Sequence, residues 1–390
     1  MNRRHALRNL GAFLAGSPLL RSQQDLPYTP DRLPPIDEQV NVFEFEPLMK
    51  HKVPKVVYDY VAGGVDYEVT LRRNRDAFDR ITFRPRFLRN VTRMDLSLEL
   101  FGRKLEMPIL IAPTAGHNAV HPEGELATAR GAQQVKSVMV VSTNTSQPIE
   151  KITEAAGEPQ WFQLYPGPDM EGTRERVDRA LGAGCKLVML TVDAAYNSHR
   201  ERLLRDRNVA QVPPGVGSPQ SRRRRAAEQP PLPYRLQATF IAYLDWNFVD
   251  TLMEWAKVPV LIKGILTPDD AELSVKRGVA GIVVSNHGGR YLDGAPSTIE
   301  VLPEIVDAVG GKIPVLVDSG FRRGTDILKA LAIGAKAVLV GRQPLWGLGA
   351  FGQPGVARVM ELLQTELALA MGLAGRTTLA EIDRSVIKIG

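Results

Sequence analysis

Gly281-Ile282-Val283-Val284-Ser285-Asn286-His287-Gly288-Gly289-Arg290-Tyr291-Leu292-Asp293 is the stretch whose reading decides the fold. A short β-branched run, Ile282 to Val284, stops abruptly, and a hydroxyl, an amide, an imidazole and a guanidinium follow at once. Gly288 and Gly289 let the backbone turn tightly and let another molecule come close. A strand that ends on a base and a carboxylate-binding fork is what an active site at the C-terminal rim of a parallel barrel requires. The stretch alone also fits a strand, a polar turn and a histidine satisfied locally; the rest of the chain separates the two.

Outward from that run the sequence alternates. Short apolar runs occur at Ile109–Ala112, Val138–Val141, Trp161–Leu164, Leu187–Thr191, Val260–Ile262, Gly281–Val284, Val315–Val317 and Ala337–Val340. Segments of helical composition lie between them, such as Gly124–Val135, Thr173–Ala183, Pro268–Arg277 and Arg323–Ile333. Eight runs in this order predict an α/β fold of the (β/α)8 TIM-barrel type, closed rather than open. About seventy residues separate the fourth run from the fifth, too many for an ordinary connection. Their middle, Val209–Leu236, is rich in proline, glycine and arginine, so a long lid loop after strand 4, at about 205–240, is expected. Asp245–Trp255 supplies an amphipathic helix before the fifth strand.

The N-terminal part reads differently. Met1–Leu20 places Arg3-Arg4 ahead of a short apolar stretch, Leu10–Leu20, and resembles a twin-arginine-type export signal. Arg8 intrudes and no A-x-A site follows, so export to a periplasm stands beside an uncleaved cytoplasmic tail. Residues 1–37 are assigned to this segment and its proline-rich linker, and 38–390 to one catalytic domain. That domain opens with a helical extension, Val42–Tyr60, interrupted at Pro54 and closed by the Gly63-Gly64 pair, a C-cap signal. Glu68–Phe78 reads as a further charged helix.

The 390 residues suffice for one large barrel with additions. A single cysteine, Cys185, excludes an internal disulfide framework and any cysteine-rich metal site. The net charge of +6 is modest, and its one dense run, Arg222–Arg225, sits among prolines in the expected lid. A solvated loop is the default there, and peripheral contact with an anionic membrane the minority reading. No aromatic residues interleave with those arginines, which argues against nucleic acid. His117 and His121 are spaced by four, but no further ligand joins them, so a structural role is expected and no metal site is assigned.

Each apolar run ends in polar residues that a barrel would gather on one rim. These are Ala112-Pro113-Thr114-Ala115, Ser142-Thr143-Asn144, Gln163-Leu164-Tyr165, Thr191-Val192-Asp193, Lys263-Gly264, the His287/Arg290 cluster, Asp318-Ser319-Gly320-Phe321-Arg322-Arg323 and Gly341-Arg342. The seventh and eighth ends carry glycine and arginine, where barrels commonly cradle a phosphate. With a lone lysine at the fifth end and amides and hydroxyls at the first four, a flavin mononucleotide fits. A lysine beside the flavin's N1–C2=O edge would favour reduction. A dinucleotide is disfavoured, because no G-x-G-x-x-G joins a strand to a helix.

On these motifs, together with Tyr58-Asp59-Tyr60, His121-Pro122-Glu123-Gly124-Glu125 and Arg322-Arg323-Gly324-Thr325-Asp326, the chain resembles the FMN-dependent α-hydroxy-acid oxidase/dehydrogenase family. That family includes glycolate oxidase, lactate oxidase, mandelate dehydrogenase and the flavin domain of flavocytochrome b2, and the likeness runs over roughly residues 40–388. The resemblance implies oxidation of a small L-2-hydroxy acid to the 2-oxo acid, with His287 as base and Asp193 as partner of its imidazolium. It implies that Arg290, Tyr60 and Arg200 hold the substrate carboxylate and that Tyr165 lies near the substrate hydroxyl. For FMN it implies Pro113, Thr114, Ala115, Ser142, Gln163, Thr191, Lys263 and Ser285 around the ring and ribityl chain. Asp318, Gly320, Arg322, Arg323, Gly341 and Arg342 would serve the ribityl and phosphate end. Electrons would pass to oxygen, a quinone or a cytochrome, and a homo-oligomer, a tetramer, is expected.

The chemistry agrees: a carboxylate is fixed best by a guanidinium fork, and proton removal near neutrality suits histidine. The sequence also departs from the family pattern. Ala195 and Ser198 replace a proline and a glycine ahead of Arg200, Tyr291 stands where glutamine is common, and Ser319 where glycine is. Asn144 takes a position often held by tryptophan or leucine, which implies a more polar or roomier pocket. Two other readings stay open: a barrel enzyme of another class, such as an FMN-dependent isomerase or a phosphate-substrate lyase, and a flavin-binding protein with lapsed catalysis. Bleaching of the flavin by a 2-hydroxy acid separates the first reading from both.

Overall fold

The computed structural model of the protein describes residues 34–167, 169–196, 198–205 and 244–390. The expected export signal, and the lid loop beyond Arg205 with its Arg222–Arg225 run, lie outside the described residues. The chain divides into Met1–Glu38, in which the turn Ile36–Glu38 is described, and Gln39–Gly390, which holds the rest.

Eight parallel strands form the centre: β1 (Ile109–Ile111), β2 (Val140–Ser142), β3 (Trp161–Leu164), β4 (Val188–Thr191), β5 (Val260–Ile265), β6 (Gly281–Val284), β7 (Val315–Val317) and β8 (Ala337–Val340). Neighbours in sequence are neighbours in the sheet, and β8 returns to β1. A parallel bridge between Ile111 and Met139, with Ile111 N–H donating to Val138 at 2.9 Å, joins β1 to β2 and closes the ring. This is the (β/α)8 barrel that the eight apolar runs predict. The second strand begins two residues later than its apolar run, because the Met139 N–H is taken by the Gln160 side chain at 2.9 Å instead of a strand partner.

Alternation along each strand fills the barrel. Leu110, Val140, Trp161, Met189, Leu261, Val283, Leu316 and Leu339 belong to one buried apolar cluster. Two residues further along each strand the same inward direction is resumed. The residues there are Ala112, Ser142, Gln163, Thr191, Lys263, Ser285, Asp318 and Gly341. A change of chemistry in one layer therefore converts the packed core into a polar floor.

The opposite end is plugged by an antiparallel hairpin, Leu98–Leu100 with Arg103–Leu105. Leu100 and Leu105 join the barrel core, and the Phe101 ring meets Trp161 edge-on at 5.5 Å. The chain's two flanks are clasped by Ile81–Phe83 pairing antiparallel with Ile387–Ile389. The entry helices, Phe45–Lys52 and Lys55–Ala62, break at Pro54 as expected. Gly63 caps the second, but with φ −68°, not in the left-handed region. Its need for glycine is steric, since a Cβ would lie 2.6 Å from the Asp59 carbonyl oxygen. Asp245 caps the helix Trp246–Ala256, accepting from Phe248 N–H at 2.9 Å.

Candidate active site

The polar floor is held by short contacts between neighbouring strands. The Lys263 ammonium donates to Ser285 Oγ at 2.7 Å and pairs with Asp318 at 2.9 Å, all three buried. Burial pulls the Lys263 pKa down, but Asp318 and Asp193 outweigh it and the ammonium titrates above its ordinary value. Ser142 Oγ donates to Gln163 Oε1 at 3.2 Å. Beyond Lys263 the β5 register slips at Gly264, whose φ is +119°. A Cβ there would sit 2.8 Å from the Asp193 Cβ, so the bulge makes room for Asp193 to enter from β4.

Asp193 reaches His287. Its Oδ1 lies 2.8 Å from His287 Nδ1, and Tyr165 Oη lies 3.4 Å from the other ring nitrogen. His287 is aimed by backbone as well as by side chain: its φ is +57°, followed by Gly288 at +66° and Gly289 at +71°. Its N–H donates to Ser285 Oγ at 3.1 Å. Burial raises the Asp193 pKa, but His287 and then Lys263 outweigh that, and the carboxyl titrates below its ordinary range. For His287 burial lowers the pKa, Asp193 opposes, and Lys263 and Arg290 lower it further, so the imidazole is neutral near pH 7. A neutral imidazole backed by a carboxylate is a base ready to accept a proton on the nitrogen that faces Tyr165.

Cations crowd around that base. The Arg290 guanidinium carbon lies 5.0 Å from the Tyr60 ring centre, and that of Arg200 5.5 Å from the same ring. Arg290 donates to the Gly63 carbonyl at 2.9 Å and Arg342 to the same oxygen at 3.0 Å. Arg322 stacks on Trp346 at 4.7 Å. Among the described residues none of these four arginines has a carboxylate partner within ion-pair distance. Burial and like charge depress Arg290 to about 9, Arg342 to about 9 and Arg322 to about 10. Carbonyl oxygens carry only partial charge and do not neutralise such a cluster, so the rim is built to receive anions.

The floor matches a polar-edged ring. Gln163 Nε2 and Thr191 Oγ1 are buried and have no hydrogen-bond partner among the described residues. Both belong to the set expected around an isoalloxazine, and such orphaned groups call for a ligand that bonds them. At the seventh strand end Gly320, φ +89°, is held so close that a Cβ would lie 2.0 Å from the Asn74 carbonyl oxygen. The buried Arg322 guanidinium and the half-buried one of Arg342, bonded to backbone carbonyls but to no carboxylate among the described residues, suit a phosphate there. The residues present fit FMN.

The expected set is therefore gathered, with one exception. Pro113, Thr114 and Ala115 lie at the end of β1, Ser285 and Asp318 on the floor, and Gly341 at the end of β8. Arg323 faces away from Arg322: it pairs with Glu366 at 2.7 Å and lies 5.8 Å from the Phe43 ring. Sequence reasoning gave His117 a structural role without a partner; it is fully buried, 2.7 Å from Thr114 Oγ1 and 2.9 Å from Thr128 Oγ1, so it orients a residue of the cofactor set. Ser319 holds φ +76° where glycine would be unstrained, and its hydroxyl compensates by bonding Asp318 at 2.7 Å and Gly288 N–H at 3.0 Å. No motif signals those contacts. Among the described residues no group of three or more His, Cys, Asp or Glu could hold a metal ion.

The chain is similar to known proteins over nearly all of its described length. Residues 49–389 match the family model described as FMN-dependent dehydrogenase. An L-lactate oxidase from Nostoc sp. is 43% identical over 364 residues, covering 91% of this chain and 99% of the relative. A peroxisomal (S)-2-hydroxyacid oxidase from Arabidopsis thaliana is 40% identical over 353 residues, covering 90% and 97%. Among solved structures, a mandelate oxidase superposes with a TM-score of 0.81 at 39% identity, covering 90% of this chain and 100% of that one. A flavocytochrome b2 variant with pyruvate bound gives 0.82 at 33% identity, covering 92% and 88%. With the family model matched over residues 49–389 and relatives at 40–43% identity over about nine-tenths of its length, the chain belongs to the FMN-dependent α-hydroxy-acid oxidase/dehydrogenase family, as an oxidoreductase acting on CH–OH.

Proposed function

We propose that the substrate is a small L-2-hydroxy acid, lactate-like or glycolate-like, and that the rim residues divide its oxidation to the 2-oxo acid among themselves. The observation that supports this best is the His287–Asp193 pair with Tyr165 on its free nitrogen and Arg290, Arg200 and Tyr60 beside it. Arg290 and Arg200, with the Tyr60 hydroxyl, bind and orient the substrate carboxylate. The Tyr165 hydroxyl fixes the substrate oxygen. His287 Nε2 takes the proton that leaves, and Asp193 stabilises the imidazolium that results. FMN, when bound, supplies the two-electron acceptor.

In this proposal Pro113, Thr114, Ala115, Ser142, Gln163, Thr191, Lys263 and Ser285 hold the ring and ribityl chain. Asp318, Gly320, Arg322, Gly341 and Arg342 hold the ribityl and phosphate end. Arg323 has its side chain engaged with Glu366 and its N–H with Asp326 at 3.0 Å, so it leaves the set. Electrons then pass to oxygen, a quinone or a cytochrome, and the assembly is a homo-tetramer, which light scattering checks.

The test is direct. The purified protein is yellow, and anaerobic addition of L-lactate, glycolate or L-mandelate bleaches it. Reoxidation by oxygen and by a quinone analogue identifies the acceptor. A yellow protein that no 2-hydroxy acid bleaches overturns the proposal.

A further inference from the structure

Tyr291 follows Arg290 directly, and Ser198 lies two residues before Arg200. The fold brings these two segments together. The left-handed turn at His287, Gly288 and Gly289 carries Tyr291 back onto the base, edge to face, with ring centres 4.6 Å apart. The Arg200 guanidinium carbon lies 5.8 Å from the Tyr291 ring centre and 5.5 Å from that of Tyr60. Arg200 otherwise has its Nε bond to Ser198 Oγ, 2.8 Å, and no carboxylate partner among the described residues. Two aromatic rings and one hydroxyl therefore set the direction of a long, flexible cation.

We propose that Tyr291 is a positioning residue for the substrate carboxylate, its ring holding Arg200 in place beside the Tyr60 ring and the Ser198 hydroxyl. This rests on the 2-hydroxy-acid reading above. A half-buried cation–ring contact is strong enough to matter for binding, because losing it leaves Arg200 free to leave the carboxylate's plane.

The experiment uses the FMN-loaded protein with oxalate as a planar carboxylate probe, its Kd read from the flavin difference spectrum, alongside KM and kcat for whichever 2-hydroxy acid bleaches the wild type. Tyr291→Leu and Tyr291→Gln remove the ring, and each is expected to raise Kd and KM several-fold, up to about tenfold, with kcat changed less than about twofold. Tyr291→Phe keeps the ring and is expected to hold Kd, KM and kcat near wild type. Unchanged Kd in the folded ring-less variant, or an equal rise in the Phe variant, overturns the proposal; two ring-less variants guard against one failing to load FMN. A wild type that binds oxalate but is not bleached defeats the functional reading while the Kd comparison still decides the role of the ring. A wild type that does neither defeats both.

Discussion

His287 sits among neighbours of opposite sign, and its behaviour follows from which of them wins. Burial lowers its pKa, Asp193 raises it, and Lys263 and Arg290 lower it again, leaving it below the ordinary histidine value. The imidazole is therefore unprotonated at neutrality, and in its proposed role as base it should keep kcat/KM level as pH falls to about 6.5, with a drop only below that. Asp193→Asn removes the one group that raises the pKa, so the acid limb moves to still lower pH while basicity is lost. The expected fall in kcat is about two to four orders of magnitude, read as the rate of anaerobic bleaching from about pH 5 to 8. An acid limb that moves to higher pH in the variant contradicts the assigned pairing. At this scale residue types marked His287 and Arg290 as candidates at a strand end, while the roles of Asp193, Arg200 and Tyr165 were legible only through the family resemblance. What residue types did not carry was contact that depends on backbone turns, as at Tyr291 and Ser319, or on burial, as at His117.

Among the elements, the eight strands were legible because a parallel strand is buried on both faces and reads as an unbroken apolar run. The plug beneath them was not. Its turn, Phe101-Gly102, places both residues at positive φ, +50° and +73°, a geometry usually announced by Asn-Gly or Asp-Gly. Phe101 accepts that conformation while its ring packs against Trp161. The same ring explains the glycine that opens β6: a Cβ on Gly281 would lie 2.9 Å from Phe101 Cζ and 3.0 Å from the Pro314 carbonyl oxygen. Gly281→Ala is expected to destabilise the protein by about 1–3 kcal/mol through overpacking. It lies at the end of the barrel away from the rim, so kcat/KM of the folded enzyme should be unchanged. Adding Phe101→Ala, which removes one of the two obstructions, should make the pair less than additive in urea unfolding. A change in kcat/KM without a change in midpoint contradicts this division of the barrel into a stabilising and a reacting end.

For the whole molecule, every strand end contributes to the proposed cofactor set, so FMN would tie together segments from Pro113 to Arg342 that are otherwise joined through the sheet. The antiparallel clasp of Ile81–Phe83 with Ile387–Ile389 ties the flanks in the same way. Against these ties stands the confinement of Arg290, Arg322 and Arg342, one buried and two half-buried guanidiniums whose pKa values are depressed first by burial and then by like charge. Removing FMN should therefore lower Tm by more than the loss of packing alone. Restoring it at a hundred times its Kd should return about 2.7 kcal/mol by mass action. Inorganic phosphate supplies the anion without the ring, so it should raise the Tm of the apoprotein well above what chloride achieves at equal ionic strength. Arg342→Met should abolish most of that difference, because it removes one of the guanidiniums assigned to the phosphate. If phosphate and chloride act alike on the wild-type apoprotein, the cations at the seventh and eighth strand ends do not form an anion site, and the flavin must be held by the floor alone.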